Sequence, residues 1–228
     1  MKKLSLRAVT LVLCALAVVG PAQARKSHHD KEREQTATQE SNFDYYLLSL
    51  SWSPSFCATH PQEHDQCGGQ GYGFVLHGLW PQYLKGNGPQ HCKTSDKPDE
   101  ATVRKMLTVS PSRGLIAHEW QTHGACSGLD PQDYFAAAEK AFESIHLPPA
   151  IVTASKSPNL SAREVGDAFI AANPGLEKDM LAVKCDGMEL SEVRICVSKD
   201  LRPQRCGAGI STQCHKGALE IPLAKGKR

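Results

Sequence analysis

Two short stretches of the chain gather side chains that could do chemistry. The first, Ile116 to Cys126, reads IAHEWQTHGAC and places His118, Glu119 and His123 within six residues. It invites comparison with the zinc-protease motif H-E-x-x-H, in which two histidines four apart share one helix face. Here the histidines are five apart, about 140° around a helix axis instead of about 40°, so one helix cannot aim both at one ion. The pair at i, i+4 is Glu119 with His123. A carboxylate at that spacing can hydrogen-bond an imidazole, orient it and raise its pKa, as a general acid or base requires. The bland alternative is an amphipathic helix with Ile116 and Trp120 in the core and its polar residues in water. The density of ionisable groups, with Gly124 and a bridging Cys126 to fix the segment's end, favours a site.

The second stretch, FVLHGLWPQ from Phe74 to Gln82, carries His77 inside an apolar run. A strand can hold an imidazole rigidly. Trp80 alone would be read as core; beside a histidine and a Pro81 turn it could instead be a platform on which a base stacks.

Those segments must be positioned by a folded domain, and the ends of the chain bound it. Lys2, Lys3 and Arg7 precede an uncharged, largely apolar run from Ala8 to Gly20, and Ala22-Gln23-Ala24 follows. The run is too short for a membrane span and fits a secretory signal, residues 1–24, cleaved after Ala24. Cys14 leaves with it. Removing three of the 26 basic residues and none of the 24 acidic ones leaves a formal charge of −1. Such a protein is not a general polyanion binder, so any recognition of nucleic acid must be local. Residues 25–41, RKSHHDKEREQTATQES, offer almost nothing to bury and read as a flexible polar leader, with His28 and His29 solvated and not metal-binding. Residues 42–228 suit one domain with its own core.

Eight cysteines remain in the exported chain: Cys57, Cys67, Cys92, Cys126, Cys185, Cys196, Cys206 and Cys214. An even count in an oxidising compartment implies disulfides, and no C-x-x-C or comparable spacing supports a metal. Spacing alone leaves about 105 pairings open.

FDYYLLSLSW (43–52) and YGFVLHGLW (72–80) read as strands. Helices are expected over 99–109, from Asp130-Pro131 through Ile145, and from the Ser161/Glu164 capping box to near Pro174. LAVKC and MELSEVRICVS, joined at Asp186-Gly187, read as a hairpin. Strands and helices do not alternate, so the expected fold is α+β: a central antiparallel sheet flanked by helices in a single disulfide-stabilised domain.

FVLHGLWP and HEWxxHGxC resemble the two active-site segments of the ribonuclease T2 family of endoribonucleases, and the likeness extends to FDYYLLSLSWSPSFC and SEVRICVSKDL. The resemblance implies a secreted enzyme, periplasmic or extracellular, with no membrane attachment after signal cleavage. Such an enzyme would cut single-stranded RNA through a 2′,3′-cyclic phosphate with no cofactor and no metal; the chain is also expected to act as a monomer. It implies catalytic roles for His77, His118, Glu119 and His123: His123 as base, His77 as acid, His118 on the phosphate, and Glu119 orienting His123 and stabilising the phosphorane. Trp80, Gln82 and Thr122 fall at substrate-binding positions, and two of them depart from the family pattern. Thr122 replaces a common lysine, removing a cation; Lys85, Lys93, Arg104, Lys105 and Arg113 are candidates to replace it. Gln82 replaces an aspartate that reads a base, and an amide that both donates and accepts implies weak base preference. The resemblance also implies disulfides Cys92–Cys126, Cys185–Cys214 and Cys196–Cys206, leaving Cys57 with Cys67. Two competing readings are a catalytically weakened or silent relative that binds RNA or a protein partner, and an exported metallohydrolase; the histidine spacing opposes the latter.

Overall fold

The computed structural model describes residues 42–224; the signal segment, the leader with His28 and His29, and residues 225–228 lie outside the described residues. Four strands form one antiparallel sheet: β1 (Tyr45–Trp52), β2 (Phe74–Gln82), β3 (Leu181–Asp186) and β4 (Glu189–Val197), in the order β2-β1-β4-β3. Seven helices accompany it among the described residues: α1 (Ser53–Thr59), α2 (His64–Cys67), α3 (Glu100–Met106), α4 (Arg113–Thr122), α5 (Pro131–Glu143), α6 (Pro149–Val152) and α7 (Ala162–Ala172). The fold is α+β.

Local chemistry accounts for most of these boundaries. Asp99, Ser112 and Asp130 each accept a backbone N–H in the first turn of α3, α4 and α5. Ser161 and Glu164 close the expected capping box at α7. Helix α3 stops at Met106, short of the expected 109. Strand β2 differs more: the chain does not turn at Pro81 but stays paired to Gln82. Proline lacks a ladder donor and is tolerated because β2 is an edge strand.

The central strand β1 is apolar on both faces at its start and changes character along its length. Tyr46, Leu48, Leu50 and Trp52 join the main core with α5 and α7. On the opposite face Tyr45 and Leu47 pack in a small cluster, and then Ser49 and Ser51 follow. That switch from large apolar to small polar residues leaves room for a site above the sheet. Four disulfides, Cys57–Cys67, Cys92–Cys126, Cys185–Cys214 and Cys196–Cys206, tie the loops to this frame. Among the described residues no helix is long and apolar enough to cross a membrane.

Candidate active site

The position of His77 depends on a break in strand pairing. Ser49 pairs with Gly78 and Leu50 with Leu76, so His77 is an extra residue in β2. The bulge inverts the alternation beyond it. Phe74, Leu76 and Leu79 face the main core, whereas Trp80 lies with Tyr45 and Leu47 on the other face. Regular pleating would have sent Trp80 to the face of Leu76. A second shift in β4 pairs Glu192 with Lys184 and Leu190 with Cys185, skipping Ser191. Glu192 and Arg194 reach the face of His77 through regular pairing with β1, opposite Ser51 and Ser49.

Helix α4 runs alongside β2, with Ile116 and Trp120 in the core and Glu119 turned to the site. Glu119 is 3 % exposed. Its Oε2 accepts a 2.6 Å hydrogen bond from Trp80 Nε1, and its Oε1 stands 3.6 Å from His77 Nε2. The expected hydrogen bond from the His123 ring to the Glu119 carboxylate is not made: Glu119 Oε1 and His123 Nδ1 are both buried without a hydrogen-bond partner. The i, i+4 relation presumes a continuous helix, but α4 ends at Thr122 and His123 sits beyond it at φ −123°. Its ring packs against Trp80 instead, with centroids 5.0 Å apart, while His77 meets the same indole edge-on at 5.1 Å. Trp80 thus joins the two histidines and Glu119.

His118 is exposed on the wall of a cleft of about 720 Å³ that it shares with His77, Ser51 and Glu192. Thr122 is buried, its Oγ1 3.5 Å from both ring nitrogens of His118. Gln82 is not brought to the imidazoles. It lies five residues beyond His77, roughly 16 Å along the strand, and is buried with its amide against Gly88.

A model of the ribonuclease T2 family matches residues 43–206. The chain belongs to that family. A ribonuclease of Aeromonas hydrophila is 38 % identical over 170 residues, covering 73 % of this chain and 77 % of that protein. Among solved structures, an RNase-related protein from Calystegia sepium matches with a TM-score of 0.64 at 24 % identity, covering 80 % of this chain and 98 % of the other. RNase NT in complex with 5′-AMP matches at 0.60 and 23 % identity, over 80 % and 99 % of the two chains. These structural likenesses speak to the fold. Family membership makes this chain an endoribonuclease.

The electrostatics of the candidate site push its two central imidazoles apart. Burial opposes charge on His77, but the hydrogen bond and charge of Glu192, with the charge of Glu119, outweigh it and raise the pKa above 6.5. Burial, reinforced by the charges of His118, His77 and His91, holds His123 down to about 4. Burial also lifts Glu119 to about 7. Glu192 behaves oppositely: burial would raise it, yet the bonds and charges of His77 and Arg194 bring it down to about 2.

Sequence reasoning misses Glu192, Arg194 and His91. His77 Nδ1 donates to Glu192 Oε1 at 2.6 Å, and Arg194 Nε and Nη2 both reach Glu192 Oε2 at 2.7 Å. The Arg194 guanidinium also lies 4.9 Å from the Trp80 ring centroid. A signal exists: in SEVRICV two opposite charges stand two apart in an otherwise apolar strand, hence on one face. His91 has none. It is held beside α4 by the Cys92–Cys126 disulfide and by its N–H, which donates to Thr122 O at 2.8 Å. Of the cations suggested by sequence proximity, Lys105 pairs with Glu139 and Arg113 with Glu100. The cation beside Trp80 is Arg194, from a distant strand.

Proposed function

We propose that this endoribonuclease cuts single-stranded RNA by metal-independent transphosphorylation. The 2′-oxygen attacks the adjacent phosphorus, the bond to the 5′-oxygen breaks, and a 2′,3′-cyclic phosphate remains. The observation that carries this reading is the opposed tuning of two imidazoles that both pack on Trp80. Pairs of titratable groups pushed apart in pKa are how acid and base roles are divided at one pH. His123, neutral above about pH 4, takes the 2′-hydroxyl proton. His77, kept protonated, gives its proton to the leaving 5′-oxygen. His118 hydrogen-bonds the phosphate from the cleft wall, and Glu119, protonated below about 7, can donate to a non-bridging oxygen of the phosphorane. Base preference is weak, because Trp80 is enclosed beside Arg194 and Gln82 is covered at Gly88. Export after removal of residues 1–24, into the periplasm or beyond, and action as a monomer complete the proposal.

The test combines chelation, product analysis and two substitutions. Activity on RNA should survive EDTA, the product should carry a cyclic phosphate, and His77→Ala and His123→Ala should each nearly abolish cleavage with the fold intact. Loss of activity to EDTA, or full rate in either variant, would overturn the reading.

A further inference from the structure

We infer that Glu192 is the positioning residue for His77, fixing its tautomer and orientation from behind the reacting nitrogen, and that Arg194 clamps Glu192 in place. The inference rests on the acid role proposed for His77.

A buried carboxylate is costly unless its lone pairs are used. Glu192 is 8 % exposed and uses both oxygens, Oε1 for His77 Nδ1 and Oε2 for the two Arg194 nitrogens. An ionised carboxylate only accepts, so Nδ1 of His77 must carry hydrogen and Nε2 becomes the exchanging nitrogen. Nε2 points the other way, 3.6 Å from Glu119 Oε1, too far for a hydrogen bond and therefore free to meet a substrate oxygen. The need for such a restraint follows from the bulge. His77 has no partner on β1, so the sheet ladder leaves its imidazole without the usual cross-strand neighbour. Side-chain partners must then set its direction.

The proton balance is consistent with this role. When Nε2–H passes its proton to the leaving oxygen, the imidazole becomes neutral with Nδ1–H retained. The bond to Glu192 persists before and after transfer, so no reorientation accompanies the step. The charged groups facing His77 are Glu192 and Arg194 from β4, Glu119 from α4 and His123 beyond it; Lys184 on β3 lies opposite Glu192.

Glu192→Gln separates positioning from architecture, since it keeps shape and an acceptor for Nδ1–H while removing the charge. The His77 ring titration is read by 1H–15N NMR, alongside kcat, KM and the pH–rate profile on a dinucleotide. The His77 midpoint should fall by at least about one pH unit. The alkaline limb of the rate profile should move down with it. The value of kcat should drop about ten- to hundredfold, as for other partners that orient a functional histidine, with KM unchanged. Glu192→Ala should add loss of the single tautomer, but it strips Arg194 of its carboxylate partner and puts folding at risk, so Glu192→Gln is the deciding variant. A His77 titration and alkaline limb identical to the parent's in Glu192→Gln overturn the inference. His77→Ala distinguishes the two levels: if it retains activity the proposed function itself fails, and if it is inactive while Glu192→Gln matches the parent, only the role of Glu192 fails.

Discussion

Alanine at Gly78 should break the site from beneath. A Cβ there would stand 2.0 Å from Glu119 Oε2, 2.4 Å from Trp80 Nε1 and 2.8 Å from Glu119 Cδ. Neither neighbour is the loose end of an exposed side chain, since Glu119 is 3 % and Trp80 8 % exposed. To admit the methyl, carboxylate and indole must part, which breaks their 2.6 Å bond. Overpacking costs about 1–3 kcal/mol, and above about pH 7, where Glu119 is ionised, losing its hydrogen bond costs about 1.5–3 kcal/mol. The expected destabilisation is therefore about 2.5–6 kcal/mol, against a typical total of about 5–15 kcal/mol. For a domain of this size each kcal/mol lowers the melting temperature by about 2–4 °C, so the fall should be at least about 5 °C. Circular dichroism during heating and urea titration measures it, and RNA cleavage well below the transition reads the effect on the site. The rate should fall even where the variant is fully folded, because the displaced carboxylate also faces His77. A Gly78→Ala protein within about 0.5 kcal/mol of the parent and cleaving at full rate would refute the close contact.

Three further outcomes are expected from the same geometry. The pH–rate profile should be bell-shaped, rising through about 4 as His123 loses its proton and falling above 6.5 as His77 loses its own; a rate that shows neither the acid limb nor the alkaline limb would contradict the two-imidazole division. Glu119 is raised in the folded state, so the stability it contributes is fully present below 4.5 and is lost as pH rises through about 7. Glu119→Gln should abolish that loss, on the order of 3 kcal/mol, and urea midpoints that run parallel for parent and variant on both sides of the window would count against it. Thr122→Lys should raise kcat about tenfold or more by supplying a cation to the phosphate; steady-state kinetics giving no change would mean that Arg194 or another group already serves.

Much of the fold is open in the sequence because local chemistry dictates it. Ser161 and Glu164 start α7, Asp130-Pro131 starts α5, and Asp186-Gly187 turns the terminal hairpin. The short helices α1, α2 and α6 leave no such trace, since none of them is opened by a capping side chain. At the site, the types and spacing in HEWQTHGAC and FVLHGLW are enough to single out His77, Glu119 and His123. Which side chains touch is another matter. Glu119 and His123 stand four apart in the chain, yet the helix ends between them and the bond passes to Trp80, thirty-nine positions away. Glu192 reaches His77 across a separation of 115 because β1 pairs with β2 on one side and with β4 on the other, and the bulge at His77 then turns Trp80 to the same face. Residue types, caps and turns act over three or four positions and are written in the sequence itself. Strand register acts between segments far apart, where one extra residue moves every later side chain to the other face, so the pairing of carboxylates with imidazoles was decided by the tertiary structure.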